Sequence, residues 1–357
     1  MKTTLRIAPL LGLMCLPSLA AAEARAPSLH GIRPLGMGNA FVAVADDRNV
    51  LYYNPAGLAH LERTRVSGVG VHGAIDDEFL EVVDFIRENE EQFSDFETVD
   101  QEFFDSLAPY DDRWVAADAR AYSDITRPNL GIGVYTTGSV QFKIDRGIYE
   151  PRVYAQIHDD IVGVVGAGME LGRANLRVGG AVKGIWRRET SRALTALEVS
   201  DFDPEEVLDE LETADPGFAM DLGLTWQPVG SRWTAGAVLR DAVGYVGGEG
   251  IDTAVDFGTA FRPLGETVGP IRRLILAADV RNTFDGGSLG NKLHLGAEIA
   301  LPVLSVRAGF NQGYGSFGAS LSIPVITIDY AVYGRELGAF PGDESQFMHA
   351  VEARIGY

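Results

Sequence analysis

From residue 217 to the end of the chain, apolar and polar side chains alternate with a period of two. Phe218, Met220, Leu222, Leu224 and Trp226 alternate with Ala219, Asp221, Gly223, Thr225 and Gln227, which suits a strand with one greasy face and one wet face. The same alternation runs through 255–261, 274–280, 293–299, 304–310 and 326–332. The last strand carries Val351, Ala353, Ile355 and Tyr357 on one face and Glu352, Arg354 and Gly356 on the other. One such strand fits the edge of a soluble sandwich. A series of them ending on an aromatic predicts the closing strand of an outer-membrane β-barrel, and those four apolar residues form its candidate insertion signal for the barrel-assembly machinery.

The pattern places strands near 64–73, 128–142, 150–158, 160–171, 175–188, 217–227, 232–243, 252–262, 272–282, 291–300, 303–311, 315–323, 325–334 and 346–357. That is about fourteen, an even number, as single-chain bacterial barrels have. Links at 172–174, 228–231, 301–302 and 324 are tight, while those at 74–127, 189–216, 244–251, 283–290 and 335–345 are long. Tight and long links alternate, matching short periplasmic turns on one rim and external loops on the other. The region 143–160 breaks the alternation, with a longish link on the wrong rim and His158-Asp159-Asp160 as a short outer turn; twelve strands also fit. The expected class is therefore all-β: a transmembrane antiparallel barrel from 64 to 357, with inserts at 74–127 and 189–216.

The start of the chain sets the compartment. Lys2 and Arg6 precede an apolar run from Ile7 to Leu16, then Pro17 and Ala20-Ala21-Ala22, the layout of a secretory signal over 1–22. Cys15, the only cysteine, would leave with it, which excludes thiol chemistry, disulfides and cysteine metal sites in the mature protein. The remainder holds no apolar run approaching the ~18 residues of a membrane helix.

Charge is concentrated. The formal net charge is −20; residues 75–127 hold 17 acidic and 4 basic residues, and 189–216 hold 10 and 1. In the first insert Phe79, Phe93, Phe96 and Phe103 belong to a series of apolar residues at three- and four-residue steps, predicting amphipathic helices. Asp203-Pro204-Glu205-Glu206 opens a short helix through about Leu211. Both inserts are expected on the external side, as a lid over the barrel mouth or folded into it. Their apolar face either meets hydrophobic ligands or packs on the rim. Such acidity repels nucleic acid.

Between signal and first strand lie Gly31-Ile32-Arg33-Pro34-Leu35-Gly36-Met37-Gly38-Asn39-Ala40-Phe41 and, further on, Tyr53-Asn54-Pro55-Ala56-Gly57-Leu58. These runs resemble the amino-terminal hatch of the FadL-like outer-membrane superfamily, whose best-known members carry long-chain fatty acids and aromatic hydrocarbons. Leu295-Gly296-Ala297-Glu298 and Val306-Arg307-Ala308-Gly309-Phe310-Asn311 are similar to its TraF-like and PorV-like branch. The resemblance implies a periplasmic or luminal hatch over 23–63, with Arg33, Gly36, Met37, Gly38, Asn54, Pro55, Ala56 and Gly57 as gate candidates. Gly36 and Gly38 suit turns and close approach, and Gly57 a left-handed bend.

Lys183, Asp221, Arg240, Asp256, Asp279, Arg281, Glu298, Arg307, Asp329, Glu352 and Arg354 fall on the wet face of adjacent strands. They are expected to pair across the sheet, either holding the hatch through Arg33 or lining a track for an amphiphile headgroup. Gly68–Gly73 and Gly313–Gly318 match a dinucleotide fingerprint by letter, but neither opens a helix after a strand. The histidines have no metal-ligand spacing, and no Gly-x-Ser-x-Gly elbow occurs. The expected activity is passive uptake of hydrophobic or amphiphilic molecules across the outer membrane, in contact with lipid and lipopolysaccharide, without cofactor, metal or chemical step. The alternative is a non-transporting barrel that docks secretion, conjugation or cell-surface components.

Overall fold

A computed structural model describes residues 31–89, 92, 101–147, 152–172, 175–195, 213–264 and 268–357. The signal segment expected at 1–22, Phe93, Phe96 and the helix expected at 203–211 lie outside the described residues. Fourteen strands form one antiparallel ring: β1 (Arg65–Asp76), β2 (Arg113–Arg127), β3 (Leu130–Asp145), β4 (Arg152–Leu171), β5 (Leu176–Thr195), β6 (Asp215–Trp226), β7 (Trp233–Val246), β8 (Ala254–Phe261), β9 (Arg273–Val280), β10 (Leu293–Ala300), β11 (Leu304–Asn311), β12 (Tyr314–Ser322), β13 (Ile326–Glu336) and β14 (Ser345–Gly356). Each pairs with its neighbours in sequence, and β14 returns to β1 from Ser67↔Gly356 to Asp76↔Met348, which closes the sheet. A two-residue piece, Glu249–Gly250, folds back on the end of β7.

Alternation sorts the side chains. On β6, Leu222, Leu224 and Trp226 are exposed, whereas Asp221 and Thr225 are buried; on β14, Val351 and Ile355 are exposed, whereas Glu352 is buried. The outward face is the apolar one, as lipid requires, and the inward face carries the charge.

Two elements depart from the sequence expectation. The stretch 74–127 is not one insert, because its last fifteen residues are β2. Its outward positions 117, 119 and 121 are all alanine, so the alternation has almost no hydropathy contrast. The expected strands 150–158 and 160–171 are a single strand, β4, with His158, Asp159 and Asp160 inside it. β5 pairs with β4 along its whole length, and β3 pairs with it from Arg152 to Ala167, so no turn is needed there. These changes cancel in the count, which is fourteen rather than twelve. They also move the β3–β4 link to the rim that carries 77–112, 196–214, 247–253, 281–292 and 337–344, restoring the alternation of rims.

The wall is uneven in height. β4 and β5 have 20 residues each and β8 to β11 have 8 each, or about 65 Å against about 26 Å along the strand. Among the described residues four helical pieces precede β2: α1 (Ile32–Gly36), α2 (Val50–Tyr53), α3 (Phe79–Glu88) and α4 (Gln101–Ser106); a 3₁₀ turn spans Pro55–His60. α3 and α4 bury Val82, Phe103 and Leu107 against Val115, Ile144 and Val153, with Phe79 beside Phe142. In the β2–β3 register Val115 lies opposite Phe142 and Ile125 opposite Ile132, an even number of residues apart on each strand. The partners of α3 and α4 therefore share the lipid-facing parity, and the helices cover the outside of the tall wall above the apolar belt. Of the two expectations for the apolar face of the insert, Phe79 and Phe103 fit the packing one.

Residues 31–61 lie inside the ring. Met37, Phe41, Leu51 and Leu58 form a buried cluster with Val162, Ile185, Ala219 and Ile275 from four different strands. The wall accommodates them through inward glycines. A Cβ on Gly309 would collide with the Gly38 nitrogen, one on Gly296 with the Met37 carbonyl, and one on Gly223 with the Asn54 side chain. Gly163, by contrast, faces open space. Gly309→Val should therefore lower the temperature at which the folded barrel loses its fast electrophoretic mobility, at a cost of roughly 1–3 kcal/mol, while Gly163→Val leaves it unchanged.

Candidate functional site

The inner segment is held by ions. Arg33, on α1, makes a fork onto Glu298 of β10, Nε to Oε2 at 2.7 Å and Nη2 to Oε1 at 2.9 Å. Its Nη1 donates to Asp46 at 2.6 Å and Asp47 at 2.8 Å. Glu298 also accepts from Arg273 at 2.7 Å and Arg307 at 2.7 Å, and Arg307 reaches Asp329 at 3.4 Å. Burial pushes the Asp47 carboxyl up, but the Arg33 and Arg65 guanidiniums outweigh it and hold the group below the usual carboxylate range.

Other strands grip the same segment. Asp279 on β9 accepts both the Phe41 and Val42 amides, at 2.6 and 2.8 Å. Arg48 donates to Asp124 on β2 at 2.8 Å and lies 3.7 Å over the Tyr122 ring. Asn54 donates from Nδ2 to the carbonyls of Val42 (2.9 Å) and Leu224 (3.2 Å), and accepts the Ala56 amide at 3.1 Å. Pro55 opens the 3₁₀ turn beside Gly179. Gly38 sits at φ +60°, where a side chain is disfavoured, against the β10 and β11 backbones. Gly57 has no positive φ. Its need is spatial, because a Cβ there would press on the Ala45 carbonyl and Val50, so the expected left-handed bend at Gly57 is corrected. Gly36 lies against the Gly318 backbone in the same way.

The remaining inward charges form local sets. Lys183 lies between Asp221 (2.8 Å) and Asp241 (2.9 Å). Asp256 receives Arg240 at 2.8 Å and Arg281 at 3.3 Å. Glu352 accepts the Tyr122 hydroxyl at 2.6 Å, and Arg354 lies across from Thr327 on β13. Sequence reasoning names Arg33 but misses Asp46, Asp47, Arg48, Asp124 and Arg273. The Asp46-Asp47-Arg48 triplet between two apolar runs was the available signal, since charges there must be buried with partners.

A cavity of about 370 Å³ opens toward the rim of long links. Arg120, Arg240, Arg281, Arg335, Asn311 and Glu336 are among its lining residues, with Leu35, Ala254 and Tyr333 as apolar exceptions. It is a polar chamber rather than a greasy pocket.

Among solved structures the fold is similar to a deltaS2 mutant of the TodX monoaromatic hydrocarbon channel, at 12% identity and TM-score 0.57, covering 92% of this chain and 97% of that one. It is also similar to the CymD monoaromatic hydrocarbon channel, at 12% identity and TM-score 0.51, covering 91% and 96%. At such identity the likeness is one of fold, that of outer-membrane channels. No protein-family model matches the sequence, and no curated protein matches it either.

Arg33→Ala leaves Asp46 and Asp47 without their shared partner, and losing one member of a buried ion pair typically costs about 3–5 kcal/mol. Limited proteolysis within 31–61 should therefore accelerate strongly while the wall stays intact. Because the Asp47 pKa is depressed on docking, its contribution is present above the free value near pH 4 and is lost as pH falls further. Pepsin should cut the segment increasingly below about pH 4.

Proposed function

We propose that this protein is a passive outer-membrane channel for hydrophobic or amphiphilic small molecules, with residues 31–61 acting as a hatch that is shut in this conformation. One observation carries the proposal: the bore is filled by a separate segment, not by strand side chains. Inward positions facing that segment include Gly133, Gly166, Gly223, Gly258, Gly296 and Gly309, so moving the segment leaves a wide, smooth-walled bore. The hold combines ion pairs and hydrogen bonds with apolar packing of Met37, Phe41, Leu51 and Leu58, all on one continuous segment that can be released as a unit. The fold shared with two monoaromatic hydrocarbon channels supports the same reading, as does the resemblance to the FadL-like hatch; the TraF-like and PorV-like assignment rests on the helical insert after the first strand and on 295–298 and 306–311.

In this reading the rim of long links is external and both chain ends are periplasmic. The polar chamber takes the hydrophilic end of an amphiphile as it enters, and the gate lies at Arg33, Asn54, Pro55 and Gly57. The C-terminal Val351, Ala353, Ile355 and Tyr357 deliver the chain to the assembly machinery. No chemical step is involved.

A second reading has its own support. Phe284, Leu289 and Phe340 stand exposed on two adjoining long links, joined by the Ser288 amide donating to the Ala339 carbonyl at 3.3 Å. An interaction protein would use such a surface to dock secretion, conjugation or cell-surface components while its bore stays closed. Liposome uptake of a panel of alkylbenzenes and fatty acids separates the two. The channel predicts saturable uptake that rises in Arg33→Ala, whereas the docking protein predicts no uptake by either form and stoichiometric protein in pull-downs.

A further inference from the structure

The two rims of the barrel differ in charge. The stretches 75–127 and 189–216, which carry two of the long links, are strongly acidic. The opposite rim is formed by 128–129, 172–175, 227–232, 262–272, 301–303 and 323–325, with 62–64 leading into β1. On these links and within two residues of them, the described residues hold eight arginines and two glutamates, Glu62 and Glu170. Arg63, Arg127, Arg232 and Arg272 are exposed on or beside the turns, within reach of lipid phosphates.

The other four arginines turn inward. Arg65, Arg177, Arg262 and Arg273 stand two residues from Ser67, Gly179, Ala260 and Ile275, which face the bore, so alternation puts them on the same side. Lipid has no access to them there. A small cleft is lined by His60, Arg177, Arg262 and Gln227 together with Ala45 and Gly57 of the inner segment. Among the described residues, Arg65 and Arg262 have no carboxylate at hydrogen-bonding distance. Arg262 donates to Thr234 Oγ1 at 3.1 Å and to the Val44 carbonyl at 3.0 Å, and Arg65 Nη2 donates to the Asp46 carbonyl at 3.2 Å. The Asp46 carboxylate is held by Arg33 at 2.6 Å and lies 3.8 Å from Arg262 and 3.7 Å from Arg273. The Arg262 and Arg273 side chains are 22% and 37% exposed, so a solute can reach them from below.

A carboxylate offers a guanidinium two parallel charge-assisted bonds that a single carbonyl or hydroxyl does not. We propose that this rim docks an acidic segment of a soluble periplasmic protein, whose carboxylates pair with Arg65, Arg262 and Arg273 beneath the inner segment while the exposed arginines steer it in. The eight arginines are spread over the ends of β1, β2, β5, β7, β8 and β9, which suits an extended chain better than a compact anion. The acidic rim repels the same segment, fixing the side of approach. The proposal rests on the reading that places the arginine-rich rim in the periplasm, and not on which cargo, if any, passes.

The test reads fluorescence anisotropy of a fluorescein-labelled peptide of alternating Asp and Glu against the full chain in neutral-lipid nanodiscs. Heat-shifted mobility selects the variants that fold. The expected result is saturable binding that weakens about tenfold or more in Arg65→Gln/Arg262→Gln, since two charged hydrogen-bonding groups are lost. The loss is smaller in Arg63→Gln/Arg127→Gln and absent in Arg87→Gln/Arg113→Gln, whose native arginines are exposed on the acidic side. No saturable binding, or an equal loss in all three pairs, overturns the proposal. So does full displacement by succinate at equal carboxylate concentration, which makes the site one for small anions. Orientation is read separately with Ser231→Cys, on the 227–232 turn, in a Cys15→Ser background. Protection from an impermeant maleimide in intact cells is expected. Labelling there removes the periplasmic assignment and the proposal with it, whereas protection without peptide binding removes the docking alone.

Discussion

The carboxylate of Glu298 is withdrawn from water and met by three guanidiniums, from Arg33, Arg273 and Arg307. Two of those arginines belong to the wall and one to the inner segment. Arg273 and Arg307 keep Glu298 paired within the wall, while Arg33 depends on Glu298 for its place. A buried charge that loses a partner is destabilising; the wall can thus stand without the segment, but the segment cannot dock without the wall. Asp46 and Asp47 then share the outer nitrogen of Arg33, fixing where the segment turns back. From that anchor the chain can lay Phe41 and Val42 on Asp279 and carry Asn54 to β6. The inward glycines follow from the same demand, because ion-pair geometry of this kind tolerates no added atoms between backbone and wall.

Much of the barrel is legible in the sequence because lipid imposes a strict rule: every strand that crosses must show it an apolar face. Strands β6 to β14 obey that rule with Leu, Val, Ile and Phe, and their periodicity is plain. β2 obeys it with alanine, so it hides among acidic residues that are easily taken for loop. β4 is misread for the opposite reason. It rises past the apolar belt, where Asp159 and Arg188 face outward and pair at 2.9 Å, and polar residues inside a strand look like a turn. The parts of the chain that leave the membrane are those where its constraint no longer writes the pattern.

The site is legible to a different degree. Inward charges can be named from alternation alone, and nine of the eleven, all but Arg240 and Arg354, are buried. Their partners cannot be named that way, since Arg33 and Glu298 are 265 residues apart and no local rule links them. The position of α3 and α4 is equally invisible. Amphipathic spacing says that Phe79 and Phe103 need a surface, and only the register of β2 with β3 reveals that the surface is the outside of the wall.

The distance along the chain between the inner segment and its anchors has a consequence for biogenesis. Residues 31–61 leave the ribosome before any strand, yet Asp279, Glu298, Gly309 and Gly318, against which they rest, come from the last third of the polypeptide. Contacts of such high sequence separation form late. The first part synthesised is therefore among the last to find its place, and until β9 and β10 have assembled Arg33 lacks Glu298 and the Phe41 and Val42 amides lack Asp279. In that interval the segment must stay in water, on the side of the membrane from which the strands are fed.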